Sequence, residues 1–238
     1  MPRPYLFFDF GGTLAHASED IAEPWRVWVR EADGLGIELS ADRLRALDRE
    51  ASRRFQELSY SYHGRSEEFW KLRDGWMVDQ LGVRDRKVEL IASVQARFDD
   101  PTKYELYPET RGILEELAHA GYPIGVISNA TDRLPEILRH LGLTDFLESV
   151  TYSQEVGAEK PDPRIFATAL ARAGRPPAEA IHVGDTWEAD YVGARGAGVR
   201  AIWVNRDGRD PPEACEMVRD LRGLRPLLAG GVPGSSPE

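Results

Sequence analysis

The stretch Tyr5-Leu6-Phe7-Phe8-Asp9-Phe10-Gly11-Gly12-Thr13 is an apolar run, a carboxylate and then a glycine-rich turn. Consecutive apolar residues closed by a turn signal fit a short strand that is buried on both faces. Counterparts rich in β-branched or aromatic residues follow at Ile124 to Ile127, Ser149 to Tyr152, Ile181 to Val183 and Val199 to Val204. Helical patterns separate the later ones, at Glu109 to Ala120, Asp132 to Leu141, Pro163 to Ala173 and Trp187 to Gly196, several followed by a Gly suited to a helix end. Strand alternating with helix implies an α/β, Rossmann-like parallel sheet with helices on both faces.

From His16 to Tyr107 the alternation stops and only helical periodicity remains. Trp25, Trp28, Ala32 and Leu35 step by three and four, as do Leu44, Leu47, Ala51, Phe55 and Leu58. Phe69, Leu72 and Trp76 continue the pattern, followed by Val88, Ile91, Val94 and Phe98. The expected organisation is therefore a core of residues 1–15 and 108–229, an all-helical insert of residues 16–107 after the first strand, and a disordered tail at 230–238.

Lys+Arg total 30 against 40 Asp+Glu, a net charge of −10. An acidic chain of this kind argues against nucleic acid, whose phosphates are met by a net basic face. The run Arg43, Arg45, Arg49, Arg53 and Arg54 is interleaved with Asp42, Asp48, Glu50 and Glu57 and reads as a solvated helix face. Cys215 is the single cysteine, so no intrachain disulfide is possible. Arg3, the run Tyr5 to Phe8 and the triplet Ala15-His16-Ala17 superficially fit a secretory signal, but the run is too short and Asp9 ends it. No stretch approaches the roughly 18 apolar residues of a membrane span. A cytoplasmic monomer or homodimer with no membrane or nucleic-acid partner is expected.

In open α/β sheets ligands bind beyond the carboxyl ends of the strands. There the first strand ends in Asp9, the second in Ser128-Asn129, and the fourth in Gly184-Asp185 with Asp190 five residues on, while Lys160 stands just before a helix. Three carboxylates and an ammonium converging on one edge call for a cation, and a hard oxygen-bound Mg²⁺ held by Asp9 and Asp185 resolves the conflict. Such a site suits phosphoryl transfer, with Asp9 as nucleophile and Lys160 and Ser128 offsetting charge on the phosphoryl oxygens. Of the 30 basic residues only Lys71, Lys87, Lys103 and Lys160 are lysines. Lys at position 160 supplies a compact point charge that the planar Arg fork would supply poorly. Gly193-Ala194-Arg195-Gly196-Ala197-Gly198 is not a dinucleotide fingerprint, because it follows a helix and opens none after a strand.

The order and spacing of these segments resemble the haloacid dehalogenase superfamily: Asp9 to Thr13 its first motif, Ser128 its second, Lys160 its third, and Gly184-Asp185 with Asp190 its fourth. The insert resembles that family's C1 helical cap. Within it Tyr62-His63-Gly64-Arg65-Ser66-Glu67-Glu68-Phe69-Trp70 is similar to the REG-2-like and HDHD3-like subgroup. The resemblance implies an Mg²⁺-dependent phosphatase acting on a small phosphorylated metabolite. It implies metal ligands in Asp9, the Gly11 carbonyl, Asp185 and Asp190, and phosphate contacts from Thr13, Ser128, Asn129 and Lys160. Tyr62, His63, Trp70 and Lys71 are the cap residues expected to meet the substrate, from a wider set that includes Tyr60, Arg65 and Arg73.

One position departs from the pattern. The family's phosphatases carry a second Asp two residues after the nucleophile, as the acid/base; here it is Gly11. A positioned acid/base contributes about 10²- to 10⁴-fold, so slow turnover is one expectation, with His16 a candidate substitute. Two alternatives follow. One is phosphonatase-like chemistry with Lys71 as Schiff base, or dehalogenase-like chemistry, on the same Asp9. The other is a phosphate-binding regulatory module without turnover.

Overall fold

The computed structural model describes residues 3–19, 21–62 and 65–229. The expected tail at 230–238 and His63 lie outside them. Strands β1 (Tyr5–Phe8), β4 (Ile124–Ser128), β5 (Ser149–Tyr152), β6 (Ala180–Gly184), β7 (Arg200–Val204) and β8 (Met217–Val218) form one parallel sheet in the order β5-β4-β1-β6-β7-β8. β1 is central, with Phe8 level with Val126 of β4 and Val183 of β6. That register brings the carboxyl ends of three strands to one edge, and with them the chemistry-bearing residues.

The alternation of the strands explains why both faces are apolar. Leu6 and Phe8 point to the side packed by α5 (Thr110–His119), α6 (Leu134–His140) and α10 (Leu224–Ala229), through Ile113, Leu114, Leu134, Leu138 and Leu224. Tyr5 and Phe7 face the opposite layer, where α8 (Pro163–Ala173) contributes Ile165, Phe166 and Ala169. The start of α8 is set by Pro163 in its first turn and by Asp162, whose side chain accepts from Arg164 N at 2.9 Å. Among the described residues no helix is long and apolar enough to cross a membrane.

The segment after β1 builds its own apolar cluster from α1 (Pro24–Gly34), α2 (Ala41–Tyr60), α3 (Ser66–Leu81) and α4 (Lys87–Asp99). Val27, Trp28, Leu44, Ala51, Phe69, Met77, Leu90 and Val94 make its centre. The five arginines of α2 are exposed as the interleaved charges implied, but for Asp48 of the same run the expectation is corrected: it turns inward to pair with the buried Arg73 and lines the cavity between the insert and the sheet edge.

Three further local expectations are corrected. The insert is not bounded by helix alone, because β2 (Ala15–Ala17) and β3 (Tyr104–Leu106) pair antiparallel, Ala15 with Leu106 and Ala17 with Tyr104. Strands of three residues are too short to leave a period in the sequence. Leu72 and Val88, expected on buried stripes, are 43% and 81% exposed. The helix expected from Trp187 opens as a π-helix over Trp187–Val192 before the short α9 (Gly193–Gly196). Its wider turn sets Asp190 back against the sheet, and Gly184 makes room: a Cβ there would lie 2.2 Å from Asp190 Cγ.

Candidate active site

Asp9 leaves the end of β1 buried, and its Oδ1 accepts from Lys160 Nζ at 2.7 Å. Lys160, 3% exposed, also donates to Ile127 O at 2.9 Å and to Asp190 Oδ1 at 2.5 Å. The three donors of the ammonium are thereby all engaged. Its backbone is fixed from β4: Lys160 N donates to Asn129 Oδ1 at 2.7 Å, and Asn129 Nδ2 returns a bond to Lys160 O at 3.0 Å. Asn129, expected to contact phosphate, thus spends its side chain on holding the lysine.

Asp190 is gripped on both oxygens. Oδ2 accepts from Thr186 N at 2.9 Å, and Oδ1 faces the fully buried His182 Nε2 at 2.9 Å. A carboxylate only accepts, so His182 carries its proton on Nε2. Asp185 lies against the turn after β1. Its carboxylate occupies the space that a Cβ at Gly12 would fill, 2.4 Å from Oδ2, and Gly12 has φ +79°, a conformation that only glycine adopts cheaply. Thr13, fully buried, reaches Asp185 Oδ1 at 3.4 Å.

Carboxylate oxygens of Asp9, Asp185 and Asp190 all lie within 4.8 Å of one another. Burial pushes the Asp9 carboxyl up to about 6, opposed by the Lys160 charge and reinforced by Asp190 and Asp185. Burial raises Asp185 as well, with the Asp190 charge adding to it. Burial acts on Asp190 in the same direction, but Lys160 and His182 outweigh it and hold this carboxyl well below the usual carboxylate range. Lys160, whose charge burial disfavours, is raised by Asp9 and Asp190. One ammonium shared by Asp9 and Asp190 does not balance three carboxylates, and Asp185 has no ion-pair partner among the described residues. The set fits a hard divalent cation.

Asp9, Lys160 and Asp190 form the floor of a cavity of about 590 Å³ between the sheet edge and the helical insert, with Asp185 beside them but off its lining. Gly11, Ser128, Asn129, Lys160 and Thr186 line it from the core, and Trp28, Asp48, Trp70, Arg73, Asp74, Gln95 and Phe98 from the insert. Of the expected insert residues that the structure describes, Trp70 and Arg73 are on this wall. Tyr62 instead packs on Phe69, ring centroids 5.9 Å apart, and Lys71 is exposed and paired with Glu67. Lys71 therefore does not supply a Schiff base to this cavity. His16 sits on β2 against the Tyr107 ring at 5.0 Å, with its Nδ1 3.1 Å from Ala17 O, and is not part of the wall.

Sequence reasoning missed Arg206, Glu109 and Tyr107. Arg206, just past β7, donates to Gly12 O at 3.0 Å and Thr13 O at 2.8 Å, pairs with Glu109 at 2.8 Å and lies 3.4 Å over the Tyr107 ring. It clamps the turn that carries Asp9 and receives Asp185. Its place at a strand's carboxyl end was the available signal. Asp48, Asp74 and Gln95 gave none, being polar residues on helices whose inward faces were read from their apolar members.

A parallel α/β sheet with a buried Asp–Lys pair at its central strand end, and a helical insert over the cavity, defines a hydrolase of the strand-end aspartate class. The chain belongs to the haloacid dehalogenase-like hydrolase family, whose model matches residues 5–198. It is 30% identical over 227 residues to haloacid dehalogenase-like hydrolase domain-containing protein 3 of Danio rerio, covering 90% of this chain and 92% of that one. Glyceraldehyde 3-phosphate phosphatase of Methanopyrus kandleri is 29% identical over 206 residues, 84% of this chain and 83% of the relative. The solved 2-haloacid dehalogenase of Pseudomonas syringae pv. Tomato DC3000 superposes with a TM-score of 0.73 at 27% identity, over 96% of this chain and 99% of that one. The protein is an enzyme, a hydrolase with phosphatases among its relatives.

Proposed function

We propose that the protein hydrolyses phosphomonoesters of small metabolites through an aspartyl-phosphate on Asp9. The observation that carries this reading is the Asp9–Lys160 pair beside Asp185 at a cavity floor that Ser128 shares. Asp9 and Asp185, with the Gly11 carbonyl and Asp190 close by, would hold Mg²⁺, which when bound supplies charge neutralisation to the phosphoryl group.

Lys160 fixes Oδ1 of Asp9, so Oδ2 is the oxygen that attacks phosphorus. As the Asp9–phosphorus bond forms, the ester P–O bond breaks and the leaving oxygen takes a proton from solvent, because Gly11 offers none. Water then cleaves the aspartyl-phosphate, releasing phosphate and regenerating the Asp9 carboxylate. With Asp9 at about 6, the nucleophile is ionised at neutral pH. Ser128 meets the phosphoryl oxygens, the Lys160 charge held beside Asp9 offsets theirs, and the insert, acting as a cap over the floor, selects the leaving group.

The test is rapid mixing with p-nitrophenyl phosphate and Mg²⁺. A burst of p-nitrophenol followed by slower turnover, both abolished in Asp9→Asn and by EDTA, is expected. Turnover retained in Asp9→Asn would refute it. The bare Gly11 also suits carbon–halogen cleavage, in which the same carboxylate attacks carbon. Halide release from a 2-haloacid, unaffected by EDTA, would favour that reading over the phosphatase one.

A further inference from the structure

The insert side of the cavity holds a polar group that hydrolysis at phosphorus does not use. Arg73 of α3, buried, donates from Nη1 to Asp74 Oδ1 at 2.9 Å and from Nη2 to Asp48 Oδ1 of α2. Asp74, also buried, accepts on Oδ2 from Gln95 Nε2 of α4 at 3.2 Å. Four polar side chains from three helices are thus locked together, yet all four line the cavity. Burying such charges is costly unless they are well paired, and an apolar roof would close the insert as well. Trp70 on the same wall has its Nε1 buried with no hydrogen-bond partner among the described residues. A buried N–H without a partner is destabilising, and an acceptor on a ligand would satisfy it.

The wall is close to electrical balance. Arg73 is shared between the two carboxylates, and Arg133, which lies over the Trp70 ring at 5.9 Å from the core side, brings a second positive charge to the wall. It offers acceptors in the Asp48 and Asp74 carboxylates, of which Asp48 keeps 31% of its side chain open, and a donor in the Trp70 N–H. A carboxylate on the leaving group could only accept, and an ammonium could only donate. Hydroxyl groups do both. The Trp70 ring carries the guanidiniums of Arg73 and Arg133 at 5.2 and 5.9 Å from its centroid, leaving its unpaired N–H as the group it brings to the wall. The cavity volume of about 590 Å³ leaves ample room beyond a phosphoryl group.

On the phosphatase reading above, we infer that the Asp48–Arg73–Asp74–Gln95 cluster with Trp70 is a leaving-group subsite that selects neutral polyhydroxylated phosphate esters, sugar phosphates in chemical class, over esters carrying a carboxylate. Trp70 and Asp74 are its specificity-determining residues.

The experiment compares kcat/KM with Mg²⁺ for ribose 5-phosphate and glucose 6-phosphate against phosphoglycolate and phosphoserine, with p-nitrophenyl phosphate as reference. The wild type should favour the best sugar phosphate by tenfold or more. Asp74→Asn should shrink that ratio several-fold, through a lower KM for phosphoglycolate. Trp70→Phe, which keeps the ring and removes the N–H, should raise KM for the sugar phosphate about tenfold with a smaller change in kcat. A wild type that prefers phosphoglycolate or phosphoserine, or treats the four alike, overturns the inference while leaving the phosphatase reading intact. The inference is also overturned if Trp70→Phe and Asp74→Asn both keep the wild-type ratio. If p-nitrophenyl phosphate and all four esters release no phosphate, the phosphatase reading itself fails and this inference falls with it.

Discussion

Gly12→Ala tests whether Asp185 is seated against the turn after β1 as the structure places it. An added Cβ would stand 2.4 Å from Asp185 Oδ2, 2.5 Å from Cγ and 2.7 Å from Oδ1, where ordinary contact begins at 3.4 Å. Either the turn or the carboxylate must retreat by about 1 Å, a displacement of the size that disrupts catalytic geometry by up to about 10²-fold. The left-handed φ of +79° adds strain of roughly 1–2 kcal/mol for a residue with a side chain. In a chain of this length that corresponds to a fall in Tm of about 2–8 °C. Mg²⁺ affinity, measured calorimetrically, should drop about 10- to 100-fold, the range seen when groups orienting a metal site are removed. Gly11→Ala is the control, because its Cβ would meet nothing within 4 Å and its φ is not positive. It should stay within about 0.5 kcal/mol of the wild type and keep its Mg²⁺ affinity. Wild-type Tm and Mg²⁺ affinity in Gly12→Ala would refute the reasoning. Equal losses in both variants would do the same, by showing that the turn resists any substitution whether or not Asp185 is near.

The same open space at position 11 admits a carboxylate, so Gly11→Asp should raise kcat on alkyl phosphates more than on aryl phosphates, whose leaving groups need little protonation. No change on either class would show that the absent acid does not limit turnover. In metal-free protein Asp9 holds its proton more tightly folded, at about 6, than unfolded, at 3.8. Its contribution to stability is therefore complete below the unfolded value and is lost as pH rises through about 6, a loss of about 3 kcal/mol relative to Asp9→Asn; urea unfolding in EDTA from pH 4.5 to 7.5 should show the two curves diverging with rising pH, and parallel curves would contradict the burial argument. Arg206→Gln removes the pairing with Glu109 and the guanidinium bonds to Gly12 O and Thr13 O, which should cost about 2–3 kcal/mol of stability and lower kcat more than it raises KM for p-nitrophenyl phosphate. Arg206→Lys should recover less than half of kcat, since one ammonium cannot reproduce the fork.

The floor of the cavity was readable because most of its polar residues follow strand ends, with Lys160 just before a helix. A strand needs a compact apolar run, and whatever follows it in a parallel sheet is delivered to one edge, so Asp9, Ser128, Lys160 and Asp185 could be brought together on sequence order alone. The polar roof was not readable for the opposite reason. On α3 the apolar spacing pointed to Phe69, Leu72 and Trp76, whereas Arg73, Asp74, Met77 and Val78 are buried beside Phe69, and Leu72 is exposed. Arg73 can be buried only because Asp48, 25 residues earlier on another helix, meets it beside Asp74. Hydropathy along one helix carries no record of that partner.

The same division separates the two lysines that sequence alone ranked as chemical. Lys160 was legible by its place before a helix in a chain poor in lysine, and it is buried among Asp9, Asp190 and Ile127 O. Lys71 shared the residue type, yet its helix turns it to Glu67 and solvent. By itself the sequence determined the parallel sheet, the helical insert and the meeting of Asp9, Lys160 and Asp185 at the sheet edge, because periodicity and strand-end position are properties of neighbouring residues. Only the tertiary structure decided which insert residues face the cavity, that Arg206 clamps the turn, and that Gly12 and Gly184 exist to admit Asp185 and Asp190. Those facts depend on atoms brought within a few ångströms by packing between elements distant in the chain.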